Sequence, residues 1–344
     1  MIVLSLFDGI ACGMVALKRC GIYVDKYFAS EIDSSAIKVA TQNHPEIIEI
    51  GDVRNISYKD GIIKTDCGEY VVGKIDLMFG GSPCTNFSSI GYANGMMSGE
   101  IEILSLDQYL SLKESGADFI GESYLFWEYC RLLKEVCPKY FLLENVVMSK
   151  KWAEIITKAI GLTPIKINSS VVSAQSRPRL YWTNIPNVSP PEEKQIILKD
   201  ILDSNADTKD VSECDTVQKA LPRLQKKYGY IPEMFNAYNT TEITNKAPTL
   251  SRGSMVTSSC ATTIFVKCDG GKHIVKDGVL DGIYNTKLCN GRYNLRKLSG
   301  MEIERLQTLP DEYTNGVSYS KRSSLCGNAW TVDVIAHIFF GLKT

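Results

Sequence analysis

The sequence predicts an α/β fold with an open parallel sheet, followed by a smaller domain of loops and short strands. Strand-like runs and helical segments alternate through the first half of the chain, which is the pattern of consecutive β-α units. The runs at residues 75–79 and 140–143 are mostly apolar, as strands buried on both faces are. From about residue 184 to 290 the chain is instead polar and interrupted by proline and glycine, which indicates a second domain.

Length and composition narrow the class of protein. The 344 residues, 44% of them hydrophobic, can bury the core of one large domain or of a large and a small one. The net charge of -1 argues against a wholly basic coat protein for nucleic acid but leaves local basic faces open. The 11 cysteines include no CxxC pair and there are only 3 histidines, so no metal site is expected. Without a signal sequence or a run approaching membrane-span length, a cytoplasmic protein with reduced thiols is expected.

The first strand, residues 2–7, runs into a loop that ends at Gly13 and opens a helix. Glycines let the backbone approach a ligand closely, and free amides at a helix start favour polar or anionic groups. Acids follow three early strands, at Asp8, Glu31 and Asp52. These acids suit the hydroxyls of an adenosine-bearing cofactor, although acids are also common helix caps. The loop lacks the GxGxxG pattern, so a dinucleotide is not specifically indicated.

Cys84 stands at the predicted carboxyl end of the strand at residues 75–79. Two glycines permit a sharp turn after that strand, and Pro83 fixes φ immediately before the cysteine. Ligands bind at this edge of open α/β sheets, so Cys84 is a candidate nucleophile. The alternative is a buried cysteine that packs as a small apolar residue. Residues 86–121 carry several glycines and predict a lid beside this turn.

Glu144 ends the next buried strand, where a carboxylate costs free energy unless it is paired or protonated. This position suggests a role in proton handling, with a structural ion pair as the alternative. Arg177 and Arg179 are two apart on a chain expected to be extended, so both can reach one site and bind phosphate or carbonyl oxygens. Near the end of the chain, Ser299 and Glu302 predict a capping box, and an apolar helix follows Trp330.

In this order the motifs resemble those of the C5 cytosine DNA methyltransferases. The loop from Phe7 to Gly13 is similar to the family's cofactor loop, and Ser82-Pro83-Cys84 to its nucleophile motif. Glu144-Asn145-Val146 is similar to the acid motif, and the stretch from Gln175 to Arg179 to the QxRxR motif. Residues 296–310 and 327–330 resemble the two C-terminal motifs. Two departures are Thr85, where most bacterial members have glutamine, and a long segment between Cys84 and Glu144.

The resemblance implies a Rossmann-like class I S-adenosylmethionine-dependent methyltransferase domain at residues 1–183 and 291–344. Residues 184–290 would form the smaller, loop- and strand-rich target-recognition domain. The implied activity is methyl transfer from S-adenosylmethionine to C5 of a flipped-out cytosine in double-stranded DNA, with S-adenosylhomocysteine as product. It would proceed through a covalent adduct on Cys84 in a bacterial or phage-infected cell. A restriction endonuclease acting separately is a candidate partner, and no membrane or metal is expected.

The resemblance also assigns the site residues. The implied catalytic residues are Cys84, Glu144, Arg177 and Arg179. The implied cofactor-binding residues are Phe7, Asp8, Gly9, Ile10, Ala11, Gly13, Glu31, Ile32, Asp52, Val53, Gly81, Pro83, Asn328, Ala329 and Trp330.

Three other functions compete with this one. A tRNA cytosine-5 methyltransferase would use the same motifs, but the recognition region lacks the Cys-Phe-Thr signature of those relatives. A catalytically silent DNA-binding subunit would lack Cys84 or Glu144, and both are present. A nicotinamide-dependent oxidoreductase would explain the first loop but not the Pro-Cys turn or the arginine pair.

Overall fold

The computed structural model describes residues 1–84, 87, 95–206, 209–255, 262–276, 279–280, 283–284 and 291–343. The chain divides into two compact units. The first comprises Met1–Asn168, Pro178–Pro191 and Val332–Thr344, and the second comprises Ser169–Arg177 and Glu192–Thr331. Thr85 and most of the first part of the predicted lid, residues 86 and 88–94, lie outside the described residues. The predicted target-recognition domain at residues 184–290 is defined by function and not by compactness, so its boundaries stay a prediction.

The strands of the first unit are β1 (Ile2–Leu6), β2 (Lys26–Ser30), β3 (Ile47–Glu49), β4 (Ser57–Lys59), β5 (Ile62–Thr65), β6 (Gly68–Val71), β7 (Leu77–Gly80), β8 (Met97–Ser98), β9 (Ile101–Glu102), β10 (Tyr140–Val146), β11 (Ile165–Asn168) and β12 (Pro178–Thr183). The strands of the second unit are β13 (Met234–Asn236), β14 (Thr241–Glu242), β15 (Phe265–Lys276), β16 (Val279–Leu280), β17 (Ile283–Tyr284) and β18 (Gly291–Lys297).

The α-helices are α1 (Cys12–Arg19), α2 (Ser34–Asn43), α3 (Leu106–Glu114), α4 (Phe126–Val136), α5 (Lys150–Ile160), α6 (Asp215–Tyr228), α7 (Gly300–Leu306), α8 (Tyr319–Asn328) and α9 (Val332–Phe339). Short 3-10 turns lie at Val53–Asn55, Ser123–Leu125, Ser169–Val171, Leu198–Ile201 and Phe340–Lys343.

Seven strands of the first unit form one sheet in the order β11-β12-β10-β7-β1-β2-β3. The neighbours from β10 to β3 are parallel, and β12 runs antiparallel to both β10 and β11. From β1 the chain builds outward to β2 and β3, and then returns to the other side of β1 with β7. In such sheets the reversal of strand order opens a crevice at the carboxyl ends of the strands. The predicted α/β, Rossmann-like fold class is confirmed.

The core of the first unit fills with large apolar side chains. Trp127 and Trp182 are fully buried, and Phe79 in β7 is as well. The C-terminal helix α9 belongs to this unit, because Phe339 packs against Phe79 with ring centroids 5.5 Å apart. The Cys20 thiol after α1 donates to the carbonyl of Ala336 in α9 at 3.1 Å. The last helix of the chain therefore returns to the sheet formed by the first strands.

The second unit contains an antiparallel sheet with the order β14-β13-β15-β16-β17, in which β18 also pairs with β15. The predicted capping box is present at the start of α7. The Glu302 amide donates to the Ser299 hydroxyl at 3.2 Å, and the Ser299 amide donates to the Glu302 carboxylate at 2.7 Å.

One stretch of the described chain, Tyr319–Lys343, is long and apolar enough by length and composition to cross a membrane. No run of that length was expected from the sequence, and this expectation was wrong on length and composition. The stretch consists of α8, α9 and the final 3-10 turn, and 61% of its most apolar window is buried inside the protein. A helix buried in a protein core can be equally long and apolar, so this stretch is weak evidence of a membrane span.

Candidate active site

The turn that carries Cys84 is fixed by contacts on both of its sides. Gly80 ends β7 so close to β1 that a Cβ there would lie 2.6 Å from the Leu6 carbonyl oxygen. Within the turn, the Asn145 side-chain amide (Nδ2) donates to the Ser82 carbonyl at 3.2 Å and to the Ser82 hydroxyl at 3.1 Å. Cys84 itself is half-buried and packs against the core of the first unit. The thiol is therefore presented on a stiff turn at the carboxyl end of a buried strand.

Glu144 and Arg179 form an ion pair at the same edge of the sheet. The Arg179 Nε lies 2.9 Å from the Glu144 Oε1, and only 12% and 11% of the two side chains are exposed. Strand register explains the pairing: Val146 in β10 lies opposite Arg179 in β12, and Leu143 lies opposite Gly80. The sheet thus brings the cysteine turn, the carboxylate and one guanidinium to one edge.

Arg177 has different partners. Its guanidinium donates to the carbonyl oxygens of Leu250 at 2.7 Å, Gly327 at 3.0 Å and Ala329 at 2.9 Å. Only 3% of the residue is exposed. The extended strand begins at Pro178, after Arg177, so the alternation that would make both arginines point the same way does not apply. These contacts indicate that Arg177 stabilises the structure of the second unit. That Arg177 and Arg179 bind one ligand together stays a prediction.

We expect Arg177→Met to lower the free energy of unfolding by about 3 kcal/mol or more. The substitution leaves three carbonyl oxygens without their donor in a buried place, and each unsatisfied group costs about 1–3 kcal/mol. Urea unfolding followed by circular dichroism measures this change. The matched control is Arg223→Met, which removes an exposed guanidinium from the same unit and should change stability by less than about 0.5 kcal/mol. Equal stability of the two variants would contradict the structural task given to Arg177.

The loop between β1 and α1 is bent tightly. Phe7 and Ala11 have φ of 56° and 60°, a left-handed conformation that costs residues other than glycine about 1 kcal/mol or more. At Gly13 a Cβ would lie 2.3 Å from the Phe79 ring, so only glycine lets α1 approach β7 this closely. The Gly9 amide donates to the Glu31 carboxylate at 2.8 Å. Left-handed backbone conformations in residues other than glycine are frequent at ligand-binding loops. The bend is therefore compatible with the predicted cofactor loop, whose role stays a prediction.

The acids at the ends of the first strands differ in their partners. Glu31 accepts from the amides of Ile32 and Asp33 at 2.8 and 2.9 Å, in addition to Gly9. Asp52 caps a 3-10 turn and accepts from the Arg54 amide at 2.9 Å, while the Arg54 guanidinium pairs with its carboxylate. Asp8 accepts from the hydroxyls of Tyr27 and Ser5 with one oxygen.

Glu49, the last residue of β3, was missed in the sequence analysis. Both of its carboxyl oxygens, and the second oxygen of Asp8, are buried and lack a hydrogen-bond partner among the described residues. Burial, together with the charges of Asp8 and Glu31, raises the pKa of Glu49 to about 8. Burial also raises the pKa of Asp8 to about 6. Unpaired carboxyl groups in this place fit a ligand that brings a positive charge and hydroxyl donors.

The remaining predicted cofactor residues have mixed environments. Ile10 and Val53 are buried, whereas Ile32 is 68% exposed after β2. Gly81 and Pro83 belong to the cysteine turn. Asn328, Ala329 and Trp330 lie at the end of α8 in the second unit, and the Ala329 carbonyl accepts from Arg177. Their roles toward a cofactor stay predictions. Among the described residues, no three His, Cys, Asp or Glu side chains are grouped so that they could hold a metal ion.

Comparison with known proteins gives a consistent result. The family model for C-5 cytosine-specific DNA methylase matches residues 1–107, 108–159 and 166–343. The orphan methyltransferase M.Rho11sI of Bacillus phage rho11s is 34% identical over 146 residues, which are 42% of this chain and 22% of that protein. The chain therefore spans about a fifth of the length of this relative.

Two solved structures share the fold. The Entamoeba histolytica methyltransferase EhMeth matches with a TM-score of 0.61 and 15% identity, covering 100% of this chain and 99% of that one. The S. pombe Dnmt2 methyltransferase matches with a TM-score of 0.56 and 17% identity, covering 100% of this chain and 98% of that one. At these identities the similarity establishes the arrangement of the chain and not its substrate.

Proposed function

The chain belongs to the C-5 cytosine-specific DNA methylase family, and from this premise we propose that it methylates C5 of cytosine in double-stranded DNA. The observation that carries the proposal is the placing of Cys84 at the sheet edge that also holds the Glu144–Arg179 pair. Each of the three groups has a task in this reaction, and their order along the sequence is that of the family's motifs.

Carbon 5 of cytosine is a poor nucleophile until a group adds at carbon 6. The Cys84 thiolate forms that bond, and the electron pair of the C5–C6 double bond moves toward C5 and the ring. Glu144 holds N3 and the 4-amino group of the base, and supplies the proton that N3 takes up as charge builds. Arg179 lies beside Glu144 and stabilises the negative charge that develops toward O2. The reaction ends when the C5 proton leaves to water, the C6–S bond breaks to restore the C5–C6 double bond and the Cys84 thiolate, and N3 returns its proton to Glu144.

S-adenosylmethionine, when bound, supplies the electrophilic methyl group for C5. The residues present fit it: the bent loop from Phe7 to Gly13 offers backbone close to a ligand, and Glu31 is fixed at the end of β2. Asp8 and Glu49 offer unpaired carboxyl oxygens that suit a cationic ligand. Ile32 presents an apolar surface next to Glu31. We assign the cofactor to this edge of β1, β2 and β3.

The proposed substrate must leave the duplex stack, because no side chain reaches carbon 6 of a stacked base; methyltransferases are among the enzymes known to flip bases. We assign target recognition to residues 184–290 and the place of action to the cytoplasm of a bacterial or phage-infected cell. A restriction endonuclease that reads the same sequence is a candidate partner acting separately. If one exists, DNA from cells that express this chain should resist its cleavage.

We expect the affinity for S-adenosylmethionine to rise as pH increases from about 6 to about 8. Asp8 and Glu49 have pKa values raised to about 6 and about 8, so they lose protons over this window. A bound sulfonium favours the ionised carboxylates, so binding releases protons and strengthens as pH rises. S-adenosylhomocysteine carries no sulfonium, so its affinity should depend less on pH.

Isothermal titration calorimetry at several pH values, in buffers of different ionisation enthalpy, measures both the affinity and the proton release. Glu49→Gln should flatten the pH dependence for S-adenosylmethionine while binding persists. An identical pH dependence for the two ligands would contradict the placing of the sulfonium near these carboxyl groups.

Trapping the covalent adduct tests the proposed chemistry. In DNA that contains 5-fluorocytosine, fluorine at C5 cannot leave as a proton, so the bond from Cys84 to C6 persists after methyl transfer. We expect a protein–DNA adduct that survives denaturing electrophoresis, requires S-adenosylmethionine and maps to Cys84. A stable adduct with fluorinated tRNA and none with DNA would transfer the proposal to the tRNA reaction. An adduct on another cysteine would refute the role given to Cys84.

A further inference from the structure

The feature outside the proposed active site with the clearest chemical signature is the exposed face of helix α6 in the second unit. Its other face is apolar at helical spacing, with Val217, Leu221 and Leu224 fully or nearly fully buried. These side chains pack in one cluster with Phe235 and Phe265. The helix therefore has a fixed orientation in its unit, and the residues between the apolar positions face solvent.

That solvent face is a row of cations. Lys219, Arg223 and Lys226 are all exposed and follow one another at spacings of four and three residues. On a helix these positions lie on one side, about 6 Å and about 10 Å along the axis from the first. From residue 216 to residue 232 the sequence contains no acid. We call Lys219, Arg223 and Lys226 the α6 basic row.

The basic row is unpaired within the described part of the chain: none of its three side chains forms an ion pair there. Other surface lysines do have partners, such as Lys18 with Glu46 at 2.6 Å and Lys151 with Glu102 at 2.6 Å. The helix dipole favours cations in the last turn, which accounts for Lys226. It does not account for Lys219, which is the fifth residue of the helix and nearer its positive end.

We propose that the α6 basic row binds the phosphate backbone of duplex DNA; this rests on the proposed function, since it names the substrate's backbone as the partner. A DNA strand presents one phosphate per 3.4 Å of helix axis, so a row about 10 Å long can meet phosphates of about three consecutive base pairs. Lysine and arginine on a rigid helix bind such a row without reading bases. A protein whose net charge is only -1 must concentrate its cations locally to bind a polyanion, and α6 does so.

Salt-dependent binding of the full-length protein to a 30-base-pair duplex of mixed sequence tests this directly. The test variant is Lys219→Gln/Arg223→Gln/Lys226→Gln. The control is Lys59→Gln/Lys134→Gln/Lys158→Gln, which removes three exposed cations from the first unit and causes the same change in net charge. Fluorescence anisotropy between 50 and 300 mM NaCl gives Kd and the slope of log Kd against log salt concentration.

We expect the test variant to bind about 10²- to 10³-fold more weakly at 100 mM salt and its slope to fall by about 2 to 3, because each lost phosphate contact removes about 0.9. Turnover at saturating DNA should be unchanged, while KM for DNA rises. The control should keep the wild-type slope. A test variant with the slope and Kd of the wild type would overturn the proposal, and so would an equal loss in the control. A slope change on tRNA but not on the duplex would overturn the assignment to DNA.

The two proposals fail in different ways. If the wild type methylates DNA and the α6 variant binds DNA normally, the basic row is wrong and the proposed function stands. If the wild type binds duplex DNA through the row but transfers no methyl group to cytosine, the proposed reaction is wrong and the row stands.

Discussion

Cys84→Ser is expected to reduce methyl transfer to cytosine by at least about 10³-fold, while the variant still binds S-adenosylmethionine. The reaction needs an anionic nucleophile at carbon 6, and a serine hydroxyl is a much weaker acid than a thiol and remains protonated near neutral pH. The substitution is nearly isosteric, so the half-buried turn should keep its shape. Transfer of labelled methyl groups to a cytosine-containing duplex, with calorimetry for cofactor binding, measures both effects.

Cys67→Ser is the matched control for this variant. Cys67 is an exposed thiol on the turn between β5 and β6 and is not among the predicted site residues, so its replacement should leave turnover within about 2-fold of the wild type. Turnover near the wild-type rate in Cys84→Ser would refute the covalent mechanism. Loss of cofactor binding in that variant would show that the turn has a structural role toward the cofactor.

Glu144→Gln is expected to lower turnover by about 10²- to 10⁴-fold, the range supplied by a positioned acid or base. The amide keeps the size of the side chain but cannot supply the proton that N3 takes up. It also leaves the Arg179 guanidinium, only 12% exposed, without its carboxylate, so some loss of stability is expected too. Single-turnover rates at saturating DNA and cofactor, with urea unfolding in parallel, separate these two effects.

A second buried ion pair supplies the control. Arg322 pairs with the fully buried Glu304 at 2.8 Å in the second unit, and Glu304 also accepts from the Thr314 amide at 2.7 Å. Glu304→Gln should lower stability as much as Glu144→Gln or more, yet keep single-turnover rates within about 10-fold of the wild type at a temperature where it is folded. If both variants lost activity in proportion to stability, the chemical role of Glu144 would be unsupported.

The sequence predicted the parts of the fold that depend on local pattern. The buried strands around Phe79 and Leu142, the apolar helix after Trp330 and the capping box at Ser299 all follow from apolar periodicity and turn chemistry, and the structure contains each of them. The order of the motifs then placed Cys84 and Glu144 at the ends of strands. Because adjacent parallel strands end at one edge, this placing was enough to predict that the two would share it.

The features that could not be predicted from the sequence depend on contacts between residues distant along the chain or on the exact ends of strands. Arg177 was expected on an extended chain, but β12 begins only at Pro178, and the Arg177 guanidinium donates to the carbonyls of residues 250, 327 and 329. No local sequence pattern predicts hydrogen-bond partners that lie more than 70 residues away along the chain. Glu49 could have been found from the sequence, since it is the last residue of β3 and Glu31 directly follows β2 in the same way.

Base-resolution mapping of 5-methylcytosine in a methylation-free bacterial host that expresses this chain tests the central claim most directly, with the Cys84→Ser variant expressed beside it. The account predicts one set of sites with a common sequence motif, modified at a single cytosine in each, and no modification in the variant. An equal pattern in the variant would contradict the role of Cys84. An unmodified genome from folded, cofactor-binding protein would contradict the assignment to DNA.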